Sequence, residues 1–145
     1  MSVIKGYIKS ATNLNFGKSF TNERDAEYYF QSYVCDIFNE ACKKAGFLFS
    51  NNPSTLLDMD NDYAEFELLI SGLSLQSDEA ERQTDIIFKY FRNNIKKIVK
   101  NEWIGYNIVR GYFDDCNGLC ICLGSERQIK AYKKSGSLQH IEPLK

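Results

Sequence analysis

Histidine occurs once in this chain, at position 140, and proline only twice, at 53 and 143. The lone histidine falls in the C-terminal tail, where chain ends are commonly loose, so no nucleophile has an evident base beside it. No run reaches the roughly 18 apolar residues of a membrane-spanning helix, and the start, MSVIKGYIKS, has no apolar stretch of signal-peptide type. A cytoplasmic protein without membrane attachment is expected. The five cysteines are odd in number and cannot all pair within one chain; without export features they read as free thiols in a reducing compartment.

What is present is ordinary for a globular chain. Hydrophobic residues make up 43% and charged residues 26%, which excludes collagenous, low-complexity and strongly disordered classes. A chain of 145 residues buries roughly 70% of the surface its unfolded form exposes, so it needs no metal or disulfide staple. A single domain over 1–145 is expected, with 136–145 a flexible tail unless Leu138, Ile141 and Leu144 find a groove.

The formal net charge of −1 hides opposed segments. Residues 1–50 carry six positive and five negative side chains, a net of +1; residues 51–85 carry one and nine, a net of −8; residues 86–145 carry eleven and five, a net of +6. The middle segment reads either as a solvated loop and an acid-rich helix start or as a docking face for a basic partner.

Hydrophobic periodicity orders the elements. Residues 2–9 alternate as a first strand, and 11–20 form a polar loop. A helix follows, capped by Thr21 or Asn22, with Ala26, Phe30, Tyr33, Val34, Ile37, Phe38, Ala41 and Ala45 down one face and Gly46 at its end. Phe47, Leu48 and Phe49 suit a short second strand, 51–62 a loop and 63–73 a third strand. A second helix is expected over 78–100, with Ser77 as cap and Ala80, Ile87, Phe88, Phe91, Ile95, Ile98 and Val99 buried. Strands at 103–113 and 119–123 are joined around Asn117-Gly118, the strongest short-range hairpin signal present. Ser125, with Gln128 three residues on, opens a short helix to about residue 134. The class is α+β, and the order predicts a split βαβ, ferredoxin-like antiparallel sheet with two long helices on one face and an extra C-terminal edge strand. The other face is solvated or holds a partner, and nine tyrosines suffice to furnish a binding surface.

Three motifs fail on inspection. Asp58, Asp60 and Asp62 match the first ligands of a calcium loop, but Tyr63 stands where that loop needs glycine and Leu69 where it needs glutamate. Gly17-Lys18-Ser19 resembles the end of a phosphate-binding loop, yet Thr12 occupies the place of its first glycine. Cys116, Cys120 and Cys122 suggest zinc, but a turn at 117–118 sends Cys116 to the opposite side of the strand from the other two. No metal, cofactor or catalytic constellation is expected.

Two charged groups remain as candidate sites. Asp58, Asp60, Asp62, Glu65 and Glu67 form an acidic face for a basic protein partner, and an immunity or antidote protein that neutralises a nuclease-type toxin is the concrete version. Lys89, Arg92, Lys96, Lys97 and Lys100 on the second helix are the alternative, a nucleic-acid-binding module, although a pI near 5.9 is low for that role. A small hydrolase is the third reading.

Overall fold

The computed structural model describes residues 23–47, 54–60, 63–97, 102–113 and 116–144. In chain order the elements are α1 (Glu23–Lys44), β1 (Ser54–Asp60), β2 (Tyr63–Leu73), α2 (Ser77–Ile95), β3 (Trp103–Phe113), β4 (Cys116–Gly124), α3 (Glu126–Ser135) and β5 (His140–Pro143). The expected strand at 2–9, the loop with Gly17-Lys18-Ser19, the caps Thr21 and Asn22, and Leu48 and Phe49 lie outside the described residues. Among the described residues no helix is long and apolar enough to cross a membrane.

Helix α1 follows its apolar spacing. Val34, Phe38, Ala41, Cys42 and Ala45 are buried at three- and four-residue steps, and Gly46 takes the left-handed cap conformation at φ +100° with its N–H on the Lys43 carbonyl. Burial pushes the Cys42 thiol up to about 12. Helix α2 buries Ala80, Thr84, Ile87, Phe88, Phe91 and Ile95, with Asp78 and Glu79 in its first turn and Arg92 in its last, as the macrodipole favours. It ends five residues earlier than expected, with Lys96 as C-cap. Ser77 is not its cap either: Gln76 occupies that position without a side-chain cap bond, and the Ser77 hydroxyl accepts from Arg110 at 3.3 Å. The edge of one ring meets the face of the other where Phe38 packs on Phe91, 5.8 Å between centroids, locking α1 to α2.

The five strands form one antiparallel sheet in the order β1-β2-β4-β3-β5. Four expectations need correction here. The segment 54–60 is a strand rather than loop, paired residue for residue with β2 from Ser54↔Leu69 to Asp60↔Tyr63. The last long strand runs from Cys116 to Gly124, and Phe113↔Cys116 pairing puts the β3–β4 connection at 114–115, not at Asn117-Gly118. That strand is also central rather than at an edge. It stands between β2 and β3, the place a split βαβ unit gives to the strand before the first helix, so the ferredoxin-like order is not the order of the described strands. Finally, the C-terminal segment is docked: β5 pairs with β3, and Leu138 and Leu144 are buried at 3% and 0%.

Register assigns the two faces. Ile70, Leu119, Ile121, Leu123, Ile104 and Ile108 join α1 and α2 in the main core, so both long helices cover one face as expected. The opposite face carries the cross-strand row Leu56, Glu67, Cys122, Gly105 and Ile141. Helix α3 lies over the β3–β5 half of that face, where Cys122, Ile129 and Leu138 form a second cluster with Trp103, Tyr132 and Ile141 packed against it. Its N-cap is the expected one, Ser125 Oγ accepting from the Gln128 N–H at 3.2 Å.

Candidate functional site

The acidic segment converges through strand pairing. Asp58 stands directly opposite Glu65, Leu56 opposite Glu67 and Asp60 opposite Tyr63. By the two-residue period Asp58, Asp60, Glu65 and Glu67 therefore belong to one side of the β1–β2 hairpin. It is the same side as Cys122 and α3, because Glu67 pairs with Cys122. Asp62 lies outside the described residues.

The α2 cations divide. Lys89 Nζ is 3.1 Å from Asp85 one turn away, both well exposed. Arg92 Nε sits 3.3 Å from Glu142 on β5, with both side chains about 30% exposed or less. Lys96 and Lys97 are exposed at the helix end, and Lys100 lies outside the described residues. Among the described residues Lys89 and Arg92 thus have acidic neighbours, one local and one that ties α2 to the C-terminal strand.

His140 is on an ordered strand, not in a loose tail. Its ring stacks on Tyr106 at 5.2 Å and meets Phe88 edge-on at 5.6 Å. Its Nε2 is 3.1 Å from Glu142 Oε1, and the other carboxylate oxygen holds Arg92. The Tyr106 hydroxyl is held above its ordinary value by burial first and then by the negative charges of Asp85, Glu81 and Glu142. These contacts fasten β5 to β3 and α2. Sequence reasoning passed over them because a four-residue strand with two polar residues and a terminal proline carries little periodicity, although an edge strand tolerates that proline.

The cysteines follow a different geometry from the expected one. Because the turn precedes Cys116, one unbroken strand carries Cys116, Cys120 and Cys122, and the two-residue period puts all three on the same side. Even so, no group of three or more His, Cys, Asp or Glu side chains among the described residues is close enough to hold a metal ion. Cys120 and Cys122 instead line a half-open cavity of about 130 Å³ with Tyr132, Ser137 and Leu138, at the foot of α3. Sequence gave no signal for that cavity. Comparison of the chain with protein-family models, with curated proteins and with solved structures finds no match.

Proposed function

We propose that this protein is a cytoplasmic protein-binding or inhibitory domain that docks a basic partner on the acidic side of its β1–β2 hairpin. The observation that carries the reading is the opposition of Asp58 and Glu65, flanked by Asp60 and Glu67, in the outer strands of the sheet. A cationic surface laid across a hairpin whose paired positions are acidic gains by charge complementarity. Clustered acids also accelerate encounter with a cationic partner. A nuclease presents such a surface where it holds phosphates, so an antidote protein blocking a nuclease-type toxin remains the concrete form of the proposal.

The test is capture from the native host with the unaltered chain and with a D58N/D60N/E65Q/E67Q variant, followed by binding kinetics with the captured protein. A basic partner is expected to associate more slowly with the variant and at raised salt, with a smaller change in dissociation and no loss of thermal stability. An unchanged association rate in the folded variant overturns the reading. Capture of RNA or DNA that is lost in a K89Q/R92Q/K96Q variant supports the nucleic-acid alternative instead.

A further inference from the structure

Asn117-Gly118 has the composition of a tight turn but stands inside the sheet. Asn117 is paired with Leu73 of β2, and Gly118 with Ser71 on one side and Val109 of β3 on the other. Both residues are buried. The Asn117 amide is held at both ends, its Nδ2 donating to the Ser74 carbonyl and its Oδ1 accepting from the Gly111 N–H. This is the one Asn-Gly step in the chain, and every other asparagine is followed by a residue with a side chain.

That dipeptide has a chemistry of its own. In a flexible chain the Gly118 backbone nitrogen gives its proton to a base and attacks the Asn117 Cγ. A C–N bond forms, the bond from Cγ to Nδ2 breaks, and the departing nitrogen takes a proton from water and leaves as ammonia. The product is a five-membered succinimide, which water opens at either carbonyl to leave aspartate or isoaspartate at 117. Glycine favours the attack because no Cβ obstructs it and its backbone adopts the conformations that ring closure requires.

The native strand opposes each part of this reaction. Ring closure needs the Asn117 backbone to leave the extended conformation of a paired strand. Burial keeps base from the Gly118 N–H and water from the leaving nitrogen, and two hydrogen bonds fix the side-chain amide. We propose that Asn117-Gly118 is a deamidation site that the fold closes and unfolding opens, so that time spent unfolded is recorded as an irreversible change at the centre of the sheet. An ionised aspartate at 117 cannot donate to the Ser74 carbonyl, which weakens the refolded chain. Isoaspartate adds a methylene to the backbone of β4 between β2 and β3, breaks the alternation of side chains and blocks refolding.

Incubation of the full chain at mildly alkaline pH over a series of guanidinium concentrations tests it. Conversion at 117 is followed by peptide mass spectrometry and the unfolded fraction by circular dichroism. Conversion is expected to follow the unfolded fraction and to be at least about a hundredfold slower in native buffer than in full denaturant. Ile87→Val, at a fully buried position on α2, is expected to raise the unfolded fraction and the native-buffer rate together, by roughly twofold to tenfold. Gly118→Ala, read in denaturant where no folding is needed, is expected to slow conversion several-fold, which assigns the attack to residue 118. After dilution from denaturant, isoaspartyl chains are expected to be absent from the refolded fraction. A native rate comparable to that in denaturant, a rate that ignores the unfolded fraction, conversion unaffected by Gly118→Ala, or isoaspartyl chains that refold with native stability would each overturn the proposal.

Discussion

Asn117 is the test case for what orders the centre of the sheet. It is 2% exposed, one of the few buried polar residues among the described ones. Its Nδ2 donates to the Ser74 carbonyl at 2.9 Å, and its Oδ1 accepts from the Gly111 N–H at 2.8 Å. One side chain thus joins β4 to the loop before α2 and to the irregular end of β3, where Gly111 adopts φ +65°. Replacing it with alanine removes two hydrogen bonds worth roughly 1 kcal/mol each and leaves a carbonyl and an N–H partly unsatisfied. Both backbone groups belong to residues that water reaches in part, which keeps the sum near 2–3 kcal/mol rather than the full burial penalty. For a chain of this length that is a fall in Tm of about 8 °C. Urea denaturation of Asn117→Ala and Asn117→Leu separates the causes, because leucine restores volume without restoring either bond. Both variants are expected to lose a similar amount with unchanged m-values. A loss under about 0.5 kcal/mol in Asn117→Ala, or near-complete recovery in Asn117→Leu, would refute the hydrogen-bond account.

Asn117→Asp sharpens the same argument through pH. A carboxylate there still accepts from Gly111 but has no proton for the Ser74 carbonyl, whereas the protonated acid has one. The folded state therefore raises the carboxyl pKa above its unfolded value of about 3.9, and the variant's deficit is small below that pH and grows as pH rises to the folded value. A deficit independent of pH would contradict the assigned contacts.

The remaining predictions concern the C-terminal strand and a buried thiol. A Cβ built on Gly105 would lie 2.8 Å from the His140 carbonyl oxygen and from Leu138 Cδ1, and 3.0 Å from Ile141 Cγ2; Gly105→Ala is therefore expected to push β5 off β3, costing about 1–3 kcal/mol and lowering amide-exchange protection at Leu144, whose N–H donates to the Glu102 carbonyl at 2.9 Å, and unchanged protection there would oppose the close approach. Cys42, buried with its thiol pushed up to about 12, is expected to resist alkylation at pH 8 until the chain unfolds, read by peptide mass spectrometry. Its unfolded thiol ionises near 8.5, so its contribution to stability is present below that pH and is lost as pH rises toward 12; rapid labelling of the folded chain would contradict its burial.

The helices and the long strands were legible because their patterns are local. The apolar spacing of α1 and α2, the Gly46 stop and the Ser125 cap each follow from neighbours within four residues, and β2 and β3 occupy their expected spans. What escaped is what local pattern does not encode. β1 was concealed by Asn51, Asn52 and Pro53 before it and by the acids within it, which together read as loop. Asn117-Gly118 has the residues of a tight hairpin turn, yet Asn117 is worth more in the interior, where two backbone groups of other segments bind its amide. Local turn preference yielded to tertiary hydrogen bonding, and the sheet order changed with it.

The same two misreadings governed the candidate site. Treated as loop residues, Asp58 and Asp60 are merely near Glu65 and Glu67 in sequence; only the register from Ser54↔Leu69 to Asp60↔Tyr63 makes Asp58 and Glu65 direct opponents and gives all four acids one side. A connection that precedes Cys116 puts Cys116 on the strand of Cys120 and Cys122, while the Glu67↔Cys122 pairing puts those two positions and the ground beneath α3 on one face. Side chains far apart in sequence acquire a common surface only through strand pairing; moving the connection by three residues carries Cys116 from one strand to the other and so changes its face, while Cys120 and Cys122 stay opposite odd-numbered residues of β3.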